Sequence, residues 1–120
     1  MSTGYLPKFN PGAAFTVLAT TDITAGRLVT AAGAQSPADS PSVVGVSART
    51  VVTGEHVTVY GGGVQELVAA EPIAIEDLVK AAADGEIAVY TPGTDAPETL
   101  LGVALAVGAV GATVPTKFLR

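Results

Sequence analysis

The sequence predicts a mainly β protein: a small single-domain β-barrel or β-tulip-like body over residues 13–120, behind an extended N-terminal arm at 1–12, with at most one short helix. Three observations carry that expectation. Short Val- and Thr-rich runs are separated at close intervals by Gly- and Pro-containing turns, the spacing of small sandwiches and barrels. Residues 56–60, HVTVY, alternate with a period of two, as a strand with one buried face requires. The second half of the chain also repeats the grammar of the first. A length of 120 residues suffices for one domain with a core of its own.

The arm comes first. Gly4, Pro7, Pro11 and Gly12 break any regular element, because proline lacks the ladder donor. Tyr5, Leu6 and Phe9 nevertheless sit among them, with Lys8. Those apolar groups have two readings: they cover the protein's own core, or they anchor the arm on a neighbouring subunit. AFTVLA (14–19) reads as a strand, and LVTAA (28–32) as another after the turn-like TAG at 24–26. GAQSPADSPS (33–42) is the longest polar stretch and reads as a surface loop stiffened by Pro37 and Pro41. Strands follow at 43–47, 56–60 and, past the triple glycine 61–63, at 64–69.

Residues 74–83, AIEDLVKAAA, carry two signals. Ile75, Leu78, Val79 and Ala82 fall at helical spacing, and Glu76 precedes Lys80 by one helical turn. Asp84-Gly85 between two apolar runs is a hairpin signal instead, and the internal repeat favours strand. A strand at 86–90 follows, then the acidic loop GTDAPE at 93–98. Leu100 to Val114 is the most apolar stretch, but its length and its glycines at 102, 108 and 111 fit buried strands joined by a turn. It is shorter than a membrane-spanning helix.

The repeat places 43–57 on 100–114 at an offset of 57, bringing Gly45 onto Gly102, Val46 onto Val103, Gly54 onto Gly111 and Val57 onto Val114. Upstream, 23–33 lies on 73–84 at an offset of 50, with Ile23, Leu28 and Val29 on Ile73, Leu78 and Val79. The copies span about 23–64 and 73–119, and a longer segment after Ala82 absorbs the difference of seven.

Composition limits the function. There are 21 Ala and 17 Val but only 3 Phe, 3 Tyr and no Trp, so the core has little bulk per residue. Charged residues make up 14%, few for a monomer's whole surface, which points to a face turned toward a partner. Six scattered cations against eleven acids, net −5, exclude wrapping nucleic acid by phosphate neutralisation. The absence of cysteine excludes disulfides and thiolate metal sites. The opening MSTGYLPKFNPG has neither the apolar run nor the basic lead of a signal peptide, and no membrane partner is expected.

No constellation for catalysis stands out. His56 is the sole histidine, with only Glu55 and Glu66 near it in sequence, and reads as an exposed strand residue. Gly61-Gly62-Gly63 lacks the Lys-Ser/Thr of a phosphate loop and reads as a plain turn. Glu76 and Asp77 point to opposite faces if extended, so they make no acid/base pair. Ser47 lies outside any nucleophile elbow. Asp95 and Glu98 lack the spacing of a calcium loop. Tyr60 and Tyr90 each close an alternating strand and are the candidates for an aromatic ligand platform. The expectation is a protein with no catalytic residues, no cofactor and no metal.

Five stretches carry a family resemblance: the arm leading into PGAAFTVLATTDITAGRLVTAAG (11–33), VVGVSARTVVTGEHVTVYGGGV (43–64), PIAIEDLVKAAADGEIAVY (72–90), the acidic loop 93–98, and LLGVALAVGAVGATVPTKFL (100–119). Together they resemble the small head-decoration, or capsid cement, proteins of tailed bacteriophages. Where that family often shows Gly-acidic-x-Val, this chain has Gly26-Arg27-Leu28-Val29 and Glu76-Asp77-Leu78-Val79. The resemblance implies a structural virion protein on the outer surface of an expanded head, bound to the major capsid protein, stabilising capsomer contacts and often trimeric. It brings no catalytic residues. On that reading Tyr5, Leu6, Lys8 and Phe9 form the capsid-binding segment. A tail-tube subunit and a small β ligand-binding module are the alternatives.

Overall fold

The computed structural model describes residues 14–119; the arm with Tyr5, Leu6, Lys8 and Phe9 lies outside the described residues. Nine strands follow in order: β1 (Ala14–Leu18), β2 (Leu28–Thr30), β3 (Val43–Ser47), β4 (His56–Tyr60), β5 (Val64–Val68), β6 (Leu78–Ala81), β7 (Ile87–Val89), β8 (Leu100–Ala104) and β9 (Thr113–Phe118). Helical structure among the described residues is limited to two single 3-10 turns, Ala83–Gly85 and Pro97–Thr99. Residues 78–81 are strand, so the helical spacing across 74–83 does not prevail. A helix would have buried one stripe, whereas here Ile75 is exposed and Val79 fully buried between paired neighbours.

The strands form two antiparallel sheets, ordered β1-β4-β3-β2 and β5-β9-β8-β6-β7. One pairing scheme occurs in both. Leu28 faces Val46, Val29 faces Gly45 and, past a register shift, Thr30 faces Val43. Leu78 faces Val103, Val79 faces Gly102 and, past the same shift, Lys80 faces Leu100. The shift leaves Val44 and Leu101 as the extra residue of a β-bulge on β3 and β8. The scheme extends to β1 on β4 and β5 on β9, where Ala14 faces Tyr60 and Val64 faces Lys117. Comparing the stretches 23–64 and 73–119 does not align that pair.

The second sheet curls into a half-barrel whose outer edges meet at a parallel bridge between Ala69 and Ile87. In the first sheet Thr20 N–H bonds to Gly33 O, as Ala70 N–H bonds to Ile87 O in the second, and Gln35 bridges Val29. Residues 33–36 thus stand where β7 stands in the second half, at an offset of 54. The seven additional residues therefore enter as four in the β6–β7 hairpin and three in the loop before β8. That hairpin turns on Asp84 and Gly85, both in the left-handed region at φ 59° and 71°, as the twist of a tight hairpin favours.

Two cores result. Ala19, Ile23, Val29, Val51, Val57 and Val59 form the core of the first half. A larger cluster joins Leu67, Ala69, Ile73, Val79, Ile87, Leu101, Val114 and Phe118 of the second half to Leu28, Val43 and Val46 of the first. β2 is buried on both faces because its alternate residues serve different cores: Leu28 lies between the halves and Val29 inside the first.

Polar bonds reinforce the joint. Arg27 reaches into the hairpin, its Nη1 2.9 Å from Asp84 O and 3.2 Å from Glu86 Oε2. Gly85 N–H bonds to Ser36 O at 2.8 Å, and Asp39 N–H to Ala81 O at 2.9 Å. The 33–42 stretch is thus more than a surface loop. Ser36 and Ser40 are buried because its backbone pairs with elements of the other half.

Candidate functional site

A triad of charged groups, drawn from both halves, lies at this joint. Lys80 on β6 places its Nζ 2.7 Å from Asp39 Oδ1 and 2.7 Å from Asp95 Oδ1. Asp95 Oδ2 also accepts Thr91 N–H at 2.7 Å, closing its own loop. The 39–41 and 94–99 loops line an open cavity of 370 Å³ beside this triad. Hydrogen bonds from Lys80 and then from Thr91 hold the Asp95 carboxyl below its ordinary value of 3.8. Hydrogen bonds to Asp39 and Asp95 raise Lys80 above 10.5.

The two shifts act on opposite limbs of a stability–pH curve. The Asp95 contribution is complete above pH 3.8 and is lost as pH falls through the lower folded value. That of Lys80 is complete below 10.5 and is lost as pH rises through the higher folded value. Asp95→Asn is therefore expected to lower the melting temperature on the neutral plateau and to flatten its fall in acid. The two proteins should converge at the lowest pH, as thermal melts across the acid range would show.

Among the described residues, the side chains singled out from the sequence serve turns and strands. No group of three or more His, Cys, Asp or Glu that could hold a metal ion occurs among the described residues. His56 is exposed on β4, and its carbonyl accepts Arg49 Nη2 at 2.8 Å. Ser47 is buried, donating to Thr24 O at 2.7 Å, so its hydroxyl ties a turn. Asp77 Oδ2 accepts Ala74 N–H at 2.8 Å within a turn, where Glu76 takes φ 72° in the position Gly26 holds at 76° in the first half. Gly61–Gly63 joins the halves as a turn whose Gly62 and Gly63 carbonyls accept Gln65 Nε2 and Phe118 N–H. Tyr60 and Tyr90 make no common platform. Tyr60 is 43% exposed at the end of β4, while Tyr90 is buried past β7, a strand with no long counterpart in the first half. Among the described residues, no helix is long and apolar enough to cross a membrane.

What remains is surface. Of the stretch Leu100 to Val114, read as buried strands joined by a turn, β8 forms the start and β9 begins only at its end. Their connection, however, turns outward: Leu105, Val107 and Val110 are exposed, as is Ile75 on the segment whose backbone pairs with theirs. Both the Lys80 triad and this apolar loop escaped reading along the chain. The first draws Asp39, Lys80 and Asp95 from three distant segments. The second is masked because the same small apolar residues compose core and surface alike.

Compared with known proteins, the chain matches over residues 9–118 the family described as phage cement protein. No curated protein matches it. Among solved structures it is similar to the head fiber gp8.5 N base of bacteriophage phi29, at 21% identity and a TM-score of 0.67. That alignment covers 88% of this chain and 92% of the other, and the likeness is one of fold.

Proposed function

The chain belongs to the phage cement protein family, and from that premise we propose that it binds the outer surface of an expanded phage head and ties neighbouring capsomers together. Its role is that of a capsid structural and decoration protein at the head surface. The observation that carries the reading is the family match across nearly the whole chain. The partner is the major capsid protein of a tailed phage. The role is structural rather than catalytic, needs no nucleic-acid contact, and suits a homotrimer.

In this reading the arm, with Tyr5, Leu6, Lys8 and Phe9, docks on the shell as an extended segment. Proline breakers limit what it loses on ordering, and the two aromatic groups are of the kind that dominates interfaces. Binding is tested on purified expanded heads lacking decoration, followed by electron microscopy. Saturable density at regular lattice positions is the expected result, whereas tubes or rings without head binding would make it a tail component. Deleting residues 2–12 is expected to weaken binding by about tenfold or more. Undiminished binding by that variant would remove the arm from the interface.

A further inference from the structure

The two halves meet as two separately built bodies. Every strand ladder among the described residues stays inside one half. What holds the halves together is a fitted joint. Gly85 lies so close to β2 that a Cβ on it would come within 2.8 Å of Arg27 Cβ and 2.9 Å of Leu28 N. Around that contact, Gly85 N–H bonds to Ser36 O, Asp39 N–H to Ala81 O, and Lys80 Nζ to Asp39 Oδ1. Leu28, Val43 and Val46 join the apolar cluster of the second half.

One short segment carries the chain across. Tyr60 ends β4 and Val64 opens β5, with Gly61–Gly63 between them. A Cβ at Gly61 would lie 3.3 Å from Phe15 Cε1 and from the Val44 carbonyl oxygen, so that residue sits against the first half. Gly63 O accepts Phe118 N–H at 2.9 Å and belongs to the second. Gly62 is the pivot between them. Gly62 and Gly63 take φ 72° and 68°, and glycine passes from there to extended backbone without steric penalty. Straightened, the segment would carry the second half away from its own first half with both sheets intact.

We propose that this joint is also a contact between copies: the chain exchanges halves with a second copy through the Gly61–Gly63 pivot, so that Asp39 of one copy clasps Lys80 of the other. The surfaces that meet are those already fitted within one chain, so exchange needs no new contact. Within one chain the linker holds the halves at high effective concentration, which favours the closed form in dilute solution, and exchange grows with protein concentration. Head-to-tail exchange that closes on two copies or on three satisfies every joint. The inference stands apart from the cement reading.

Two experiments on the full chain test it. Gly62→Val combined with Gly63→Val strains the turn, where a β-branched residue is an outlier, but suits a straight segment. Light scattering over a concentration series should show a shift toward species of two or three copies. Gly54→Val, at φ +92° with nothing within 4 Å of its Cβ, carries the same kind of strain away from the pivot and should keep the parent's size. The second experiment pairs Asp39→Lys with Lys80→Asp. Alone, the first gathers two lysines with one aspartate at its joint, and the second gathers three aspartates. Each should melt below the parent. Refolded as a mixture and exchanged, each joint again holds one lysine and two aspartates, and the mixture should melt above either variant alone. The mixture decides, also where the valine variant fails to fold. Recovery of the melt sustains the inference. A mixture that melts as its two components do would overturn it, and any multi-copy species of the valine variant would then form through another contact.

Discussion

Gly45→Ala and Gly102→Ala are each expected to cost roughly 2–4 kcal/mol of stability, read as a lowered urea midpoint at an unchanged slope. Both glycines lie just past the bulge, on the strand that pairs with β4 or β9. A Cβ at Gly45 would run into the Tyr60 carbonyl oxygen and come within 2.7 Å of Val59 Cγ1. One at Gly102 would run into the Lys117 carbonyl oxygen and lie 3.0 Å from its carbon. The obstacles are largely backbone in a paired strand, which cannot yield without breaking its ladder. Gly26→Ala is the control: its Cβ would meet nothing within 4 Å, but φ is +76°, so only left-handed strain of about 1–2 kcal/mol applies. Equal losses at all three positions would show that close strand approach is not what the β3 and β8 glycines provide.

Leu28→Ala should be comparably damaging, at roughly 2–5 kcal/mol. In a core built mainly of Ala and Val, Leu28 is among the largest fully buried side chains, and it fills the space between the halves. Its removal leaves a cavity where the surrounding strands are least free to collapse. Leu78, the corresponding residue of the second half, is only half-buried, and Leu78→Ala should cost under about 1.5 kcal/mol. Denaturant titration of the two variants measures the contrast. If Leu78→Ala proved as costly as Leu28→Ala, the larger core would not depend on the joint.

These two positions also show what the sequence made legible. The glycine in each x-Gly-Val phrase aligned the halves because the backbone beyond it forbids a side chain, a constraint that leaves its mark on residue type. The alternation in HVTVY likewise predicted β4, since one of its faces is buried and the other is not. Leu28 and Leu78 read identically along the chain, yet only one is enclosed, because enclosure depends on how the halves meet. The helical spacing at 75–82 competed with the strand signal for a related reason: Ile75 belongs to an exposed turn, outside the strand that buries Val79. The site was less legible still. Lys80, Asp39 and Asp95 are unremarkable singly, and the outward turn of 105–110 is invisible in a run of Ala, Val and Gly. The proposed arm residues were singled out by composition alone, aromatic groups among breakers.

The joint between the halves has a mechanical consequence. The Gly61–Gly63 turn crosses it covalently, and the Arg27, Ser36, Asp39 and Lys80 bonds cross it elsewhere. A pull that separates the halves is therefore shared among tethers acting in parallel, with the apolar layer around Leu28 resisting separation. Separation would require the non-covalent tethers to fail together while the glycine turn stays intact. Two halves tied in this way resist being pulled apart as a unit, the property a decoration protein on a loaded shell calls for.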